Sequence, residues 1–264
     1  MIEKYKNYLL VNGASALTIK SYIGKLKIFL KTVKVDKITE ENIANFLLKM
    51  QDNHKPATIN HYKAMIKSFL KFLKKDIKLP KDLAIEKKIP DSISEEYFIK
   101  EVMSVVECIF MNPLKVKAIM YFMFYSGVRL GEIEKLRREH IDLTSRTTKV
   151  YGKRKKERIV IFNKATAEIL KSYFASEPET INAFNVRREA LRAIFKTAKP
   201  YFKTINFRPH LLRHSFATML SNKGVNATSL QRLMGHEDIK TTQKYIGANT
   251  KELKIVYDKA MGGK

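Results

Sequence analysis

Five short segments beyond residue 125 carry side chains that could act on a phosphate group. The first is Ser126–Glu132, in which Arg129 follows the helix breaker Gly127 and Glu132 lies one helical turn further on. An arginine placed there could point into a cleft, with Glu132 holding its guanidinium. The same two side chains could instead form an exposed ion pair, which would contribute at most about 1 kcal/mol.

The second and third segments add a lysine and two histidines. Lys153 lies in the basic turn 152–156, where it could reach a DNA groove, donate a proton to a leaving oxygen, or simply be solvated. His210, Arg213 and His214 share one face of a helix start, because they are three and four residues apart. That histidine spacing can also bind a metal ion, but Arg213 would repel a cation and no third ligand is near in sequence.

The last two segments are a Gly–His pair and a tyrosine. His236 follows Gly235 at the predicted end of a helix, and Tyr245 closes the run Thr241–Tyr245. Taken singly, the histidine is an ordinary helix cap and the tyrosine an ordinary core or surface residue.

Together, these two arginines, the lysine, two histidines and the tyrosine suit phosphodiester chemistry. An arginine pair can neutralise the non-bridging oxygens of a phosphodiester in its transition state, which otherwise requires a metal ion. A tyrosine hydroxyl, with a pKa of about 10, becomes a nucleophile where cations favour its phenolate or a histidine accepts its proton. A lysine can then protonate the leaving 5′ oxygen.

The composition fits such chemistry. The chain has 264 residues, with 51 Lys+Arg against 26 Asp+Glu and a net charge of +25, which favours a polyanionic partner and nucleic acid above all. All 12 arginines lie beyond residue 90. Since arginine can grip one phosphate with two parallel hydrogen bonds, the second part of the chain is where a particular phosphate would be held.

Several classes of protein are excluded by composition. A hydrophobic content of 45% argues against disorder throughout. Cys108 is the single cysteine, so an internal disulfide framework and a four-thiolate metal site are excluded. No apolar run approaches the roughly 20 residues of a membrane span, and the charged start of the chain is unlike a signal peptide. We therefore expect a cytoplasmic protein.

The elements that must position these side chains are mainly helices. Over residues 1–90, apolar spacing predicts a bundle of four helices, one from about Ile2 and three after Ser15, Thr39 and Thr58. Residues 76–91 contain two prolines and no sustained period, which predicts a linker. The following helices are predicted at 94–110, 113–126, 165–174, 185–196, 210–222, 228–234, 241–246 and 252–261. Two β-branched runs, Thr147–Tyr151 and Arg158–Phe162, predict a β-hairpin, so the fold class is mainly α with a small β-hairpin or sheet (α+β).

The order Arg129, Lys153, His210-x-x-Arg213, Gly235-His236, Tyr245 resembles that of the tyrosine recombinase, or phage integrase, family, and most closely its compact Xer-like members. The resemblance covers nearly the whole chain. It implies a helical core-binding (SAM-like) DNA-binding domain over residues 1–78 and a linker over 79–92. A catalytic domain would follow over 93–264 and end in an amphipathic helix. In the family such a helix docks on a neighbouring subunit as an exchange helix, which we favour here over packing on its own domain.

The resemblance also implies a role for each matching residue. Arg129 and Arg213 would bind the scissile phosphate, and His236 would add a hydrogen bond to it. His210 would be the general base toward Tyr245, the nucleophile that forms a 3′-phosphotyrosyl link.

The remaining implied roles belong to Lys153 and Glu132. Lys153 would be the general acid toward the 5′ oxygen, although Arg154 stands where the family usually has glycine and two further lysines, Lys155 and Lys156, are adjacent. Glu132 would support the phosphate-binding arginine.

The implied function is site-specific DNA recombination, either to resolve chromosome dimers or to integrate and excise a mobile element. No ATP, divalent metal or other cofactor is expected, because the phosphotyrosine conserves the bond energy. The expected partners are double-stranded DNA with a short core site and further copies of this chain, as a tetramer in synapsis at the nucleoid. Two alternatives stay open, a type IB-like topoisomerase and a non-catalytic DNA-binding regulator on the same scaffold.

Overall fold

The computed structural model describes residues 1–85, 90–152 and 157–235. The chain forms two compact units, residues 1–87 and 88–264. Each unit has its own apolar core.

Four helices form the first unit, α1 (Ile2–Val11), α2 (Ala16–Thr32), α3 (Glu40–Gln51) and α4 (Pro56–Phe72). The predicted N-caps Ser15 and Thr39 are confirmed, since their side chains accept hydrogen bonds from the backbone N–H groups of Thr18 and Asn42. The predicted start of the fourth helix after Thr58 is wrong. The helix begins at Pro56, because proline suits the first helical position, where no N–H is needed.

The chain after α4 packs back onto the first unit. Asn60 makes two hydrogen bonds of 2.9 Å with the backbone of Leu83. The buried Lys63 forms an ion pair of 2.9 Å with Asp82, and Ile77, Leu79 and Leu83 contact the first core. This irregular segment has no helical period, so its contacts with α4 could not be inferred from apolar spacing.

The second unit is mainly helical and contains a small sheet, one face of which is exposed. Its first helices are α5 (Glu95–Tyr97), which continues through a π-helical turn (Phe98–Val102) into α6 (Met103–Ile109), then α7 (Pro113–Ser126) and α8 (Leu130–Ile133). After the sheet come α9 (Lys164–Ser176), α10 (Arg188–Ala198), α11 (Pro209–Asn222) and α12 (Ala227–Met234). The predicted class, mainly α with a small sheet, is confirmed. No helix in the described ranges is both long and apolar enough to cross a membrane.

Three of the predicted helices differ from the described elements or lie beyond them. The helix predicted from Asn185 starts at Arg188 instead, because Asn185 adopts a left-handed backbone conformation with φ of 41°. The helices predicted at 241–246 and 252–261 lie outside the described residues.

Three antiparallel strands form the sheet in the order β1 (Ile141–Asp142), β2 (Thr147–Tyr151) and β3 (Glu157–Ile161). The predicted hairpin is therefore confirmed, with its second strand shifted by one residue. The two-residue strand β1 is too short to give a sequence signal. Val150 on β2 pairs with Arg158 on β3, so Arg158 lies on the same face of β3 as the buried Val160.

Helix α7 is the centre of the second core. Its residues 118–126 are all buried, and it packs against α6, α9 and α11. The predicted helix end is confirmed at Gly127, which adopts a left-handed conformation with φ of 62°. The chain therefore leaves the buried C-terminal part of α7 two residues before Arg129, which fixes the position of that arginine on the core.

We predict opposite effects for alanine at two glycines. Gly127→Ala should lower the free energy of unfolding by about 2 kcal/mol or more, because a left-handed residue with a Cβ costs 1–2 kcal/mol and the Cβ would overlap the Phe216 ring. Gly24→Ala, inside α2 with open space around it, should raise that free energy by about 0.5–1 kcal/mol. Urea unfolding followed by circular dichroism measures both, and equal effects of the two substitutions would contradict this account.

Candidate functional site

Arg129 is the N-cap of α8, and Glu132 holds it in two ways. The Glu132 carboxylate accepts one hydrogen bond of 2.8 Å from the Arg129 backbone N–H and another of 3.0 Å from Arg129 Nη1. The glutamate side chain is only 3% exposed, whereas that of Arg129 is 38% exposed. The interpretation as an exposed surface ion pair is therefore wrong, and the expected support of Arg129 by Glu132 is observed.

Helix α11 brings Arg213 to the same place. Arg213 is buried at 4% exposure, and its Nη1 donates to the carbonyl of Gly127, the residue that ends α7. His210 lies one turn earlier, exposed in the first turn of α11, and its ring centroid is 6.1 Å from that of His214. In the described part of the chain, no three His, Cys, Asp or Glu side chains come together as a metal-binding group.

The C-terminal end of α12 accepts hydrogen bonds from three arginines at consecutive carbonyl groups. The Leu233 carbonyl accepts one of 2.7 Å from Arg158 Nη1. The Met234 carbonyl accepts one from Arg213 Nη2, and the Gly235 carbonyl one of 2.9 Å from Arg129 Nη2.

A helix end leaves its last carbonyls without helical partners and carries partial negative charge, so it attracts cations. This helix end places Arg129 and Arg213 side by side, although they are far apart in the sequence. It also places Gly235 beside them, the glycine of the Gly–His pair.

Arg158 also belongs to this site, although it is not among the residues predicted from the sequence. Its Nη2 donates a hydrogen bond of 2.9 Å to Glu132, and its side chain is 13% exposed. The available signal was an arginine at an inward-facing position of a strand, where an apolar residue such as Val160 is usual. The sequence analysis treated Arg158 only as the start of that strand.

Glu132 is ionised between two guanidinium groups. Burial alone would raise the pKa of Glu132, but the charge of Arg158, the backbone hydrogen bond from Arg129 and the charge of Arg129 outweigh it and lower that pKa. The negative charge of Glu132 thus reduces the repulsion between the arginines that it contacts.

Gly235 has no room for a side chain. It ends α12 in a left-handed conformation with φ of 60°, and a Cβ at this position would overlap the side chain of Arg158. The glycine of the Gly–His pair therefore allows the chain to pass directly over Arg158.

Of the predicted catalytic residues, the structure brings Arg129 and Arg213 together and places His210 on the same helix as Arg213. Lys153, His236 and Tyr245 lie outside the described residues, as does the predicted exchange helix.

Comparison with known proteins gives matches along most of the chain. A model of the phage integrase family matches residues 96–252, and a model of the phage integrase N-terminal SAM-like domain matches residues 2–76. The chain is similar to tyrosine recombinase XerA of Saccharolobus solfataricus, with 30% identity over 99% of this chain and 92% of the relative. Tyrosine recombinase XerD of Oceanobacillus iheyensis is also 30% identical, over 97% and 96% of the two chains. Among solved structures, a lambda integrase dimer bound to a COC′ core site has a TM-score of 0.74 at 16% identity and covers 94% of each chain.

We predict that Glu132→Gln lowers the free energy of unfolding by about 3 kcal/mol at neutral pH, since it leaves two arginines without their buried counter-charge. The pKa of Glu132 is lowered in the folded state, so its contribution is complete above the ordinary value of 4.5 and is lost as the pH falls through the lowered pKa. The difference between wild type and variant should therefore shrink below about pH 4.5.

The matched control is Glu134→Gln, two residues along the chain. Glu134 pairs with Arg188 at 2.9 Å, but both side chains are about one-third exposed, so its loss should cost less than about 1 kcal/mol. Urea unfolding at several pH values measures both variants. A Glu132 effect as small as that of Glu134, or one that does not change with pH, would refute the prediction.

Proposed function

The chain belongs to the phage integrase family, and from this premise we propose how its residues carry out site-specific DNA recombination. It is a compact Xer-like tyrosine recombinase, an enzyme that cleaves and rejoins DNA. Nothing in the comparisons favours the topoisomerase or the non-catalytic regulator.

The observation that supports the proposed chemistry most strongly is the pairing of Arg129 and Arg213 at the end of α12. Their guanidinium groups donate to the adjacent carbonyls of Gly235 and Met234, so two fixed positive charges lie next to each other. A scissile phosphate bound there would have each non-bridging oxygen close to an arginine as phosphorus becomes pentacoordinate. Donors fixed in advance at developing charge are usually the largest single contribution to such catalysis.

The covalent steps are assigned to residues of the matching motifs. Tyr245 attacks the phosphorus and gives up its proton to His210, while the bond to the 5′ oxygen breaks and Lys153 supplies that oxygen with a proton. The product is a 3′-phosphotyrosyl enzyme with a free 5′ hydroxyl, and His236 donates a hydrogen bond to the phosphate. Attack by the 5′ hydroxyl of a partner strand reverses these transfers and rejoins the DNA.

DNA is held by both parts of the chain. The net charge of +25 favours a long contact with the phosphate backbone, whose strength falls steeply with salt. The lambda integrase neighbour is a dimer on a core site. For this chain we propose a short core site with one subunit on each half, and a tetramer in synapsis at the nucleoid, joined by the exchange helix beyond Tyr245.

We predict that Tyr245→Phe abolishes strand cleavage and leaves DNA affinity nearly unchanged, because the ring is kept and only the attacking oxygen is lost. The substrate is a nicked duplex carrying a core site selected by the wild-type protein from a randomised pool. Denaturing gels should show a covalent protein–DNA band for wild type and none for the variant.

Tyr257→Phe is the matched control, since Tyr257 is the nearest other tyrosine in the sequence. It should retain the covalent band. A band that persists in Tyr245→Phe and disappears in Tyr257→Phe would assign the nucleophile to Tyr257 instead.

The general acid can be tested separately from the nucleophile. Lys153→Ala should slow cleavage of an ordinary duplex by about a hundredfold or more, the usual contribution of a general acid. The same variant should cleave a duplex with sulfur in place of the bridging 5′ oxygen at close to the wild-type rate. A thiol has a pKa near 8.5 and can leave without a proton.

The matched controls are Lys155→Ala and Lys156→Ala, which remove charges two and three residues further along the sequence. Both should cleave the two duplexes in the wild-type ratio. If sulfur rescues one of them and not Lys153→Ala, that lysine is the general acid.

A further inference from the structure

We propose that Arg158 is a positioning residue for the recombination reaction, which holds the phosphate-binding arginines in place without contacting the DNA. The inference rests on the proposed function, because it takes Arg129 and Arg213 as the groups that bind the scissile phosphate. Arg158 lies on β3, five residues after Lys153 in the sequence.

The guanidinium of Arg158 joins two separate segments of the site. Its Nη1 donates a hydrogen bond of 2.7 Å to the Leu233 carbonyl at the end of α12. Its Nη2 donates a hydrogen bond of 2.9 Å to Glu132 Oε2 on α8. The planar fork of arginine reaches both acceptors at once, which the single ammonium of lysine cannot do in the same geometry. With the side chain 13% exposed, water competes little for either hydrogen bond.

Both of these contacts lead directly to the arginine pair. Glu132 Oε2 accepts from Arg158 and also from the Arg129 backbone, while Oε1 accepts from the Arg129 side chain. The Leu233 carbonyl precedes those of Met234 and Gly235, which accept from Arg213 and Arg129. Loss of Arg158 would therefore loosen Arg129 from two sides and Arg213 from one.

The side chain of Arg158 also lies directly against Gly235, the residue that ends α12. Gly235 lies so close to it that a Cβ would overlap its aliphatic part, and the next residue is His236. Arg158, on the hairpin strand β3, thus contacts the residue that directly precedes His236 in the sequence.

One feature of Arg158 is difficult to explain by stability alone. Its Nε is buried and has no hydrogen-bond partner among the described residues. Burying a hydrogen-bond donor without a partner is unfavourable. Burial also lowers the pKa of Arg158, although the negative charge of Glu132 acts in the opposite direction. An apolar residue would fill the strand position without this cost, but it could not bind Glu132 and Leu233 together.

The experiment compares Arg158→Ala and Arg158→Lys with wild type on the selected nicked duplex. The single-turnover rate of covalent complex formation is measured at saturating DNA, and affinity is measured by mobility shift. For Arg158→Ala we expect the saturating rate to fall by about a hundredfold, the effect of a misplacement near 1 Å, with affinity within about threefold of wild type. Arg158→Lys should lie between the two, because it can keep one hydrogen bond.

The matched control is Arg138→Ala. Arg138 belongs to the same unit, and its Nη2 donates a hydrogen bond of 2.9 Å to the Phe174 carbonyl near the end of α9, as Arg158 does at the end of α12. In the described part of the chain, the side-chain contacts of Arg138 are with Phe174 and not with the residues of the site. Its removal should leave the saturating rate unchanged. A second control is the double variant that combines Arg158→Ala with Glu132→Gln. Its saturating rate should be only slightly lower than that of Glu132→Gln alone, because the effects of two residues that act through one another are not additive.

Each outcome decides the proposal. Wild-type rates at saturating DNA in both Arg158 variants would overturn it, and so would a slow rate that merely follows a smaller folded fraction in thermal unfolding. If Arg158→Ala does not fold, Arg158→Lys decides alone, by a lower rate at unchanged affinity. Absence of a covalent complex with wild type overturns the proposed function as well, whereas cleavage by wild type with unaffected variants overturns only the role of Arg158.

Discussion

The end of helix α12 is the point on which the rest of the site depends. A helix end must find partners for its last carbonyl groups, and here arginines supply them at Leu233, Met234 and Gly235. Because each carbonyl lies one residue from the next, the guanidinium groups are held at a spacing set by the backbone. Side chains from α8, β3 and α11 are thereby brought to one short segment, which no single element could do.

Charge balance makes this gathering of arginines possible. Three guanidinium groups close together repel one another, and two of their side chains, Arg158 and Arg213, are largely buried. The buried carboxylate of Glu132 and the negative end of the α12 dipole offset part of that repulsion. The compensation is incomplete, so a net positive charge is left for a phosphate. A site that gave each arginine its own carboxylate would be more neutral and would attract a phosphate less.

The apolar core of the second unit supplies the rigidity. Helix α7 is buried along its length from residue 118 and ends at Gly127, whose carbonyl accepts from Arg213. The Phe216 ring packs where a Cβ of Gly127 would lie. The contacts that hold α11 therefore also fix the backbone between Gly127 and Arg129. A close-packed interior of this kind resists the small displacements that would cost catalytic rate.

The sequence by itself determined the mainly helical class, the hairpin and the pairing of Arg129 with Glu132, because helix caps, β-branched runs and residues three apart are local signals. Local signals misplaced the starts of α4 and α10 and could not show that Ile77 and Leu79 pack on the first core. Only the tertiary structure decided that Arg158 joins the site and that Gly235 must lack a side chain. Both depend on contacts between a strand and a helix end that are distant in the chain. Hydrogen bonds between such distant residues produce no periodic pattern of residue types, so they cannot be predicted from the sequence.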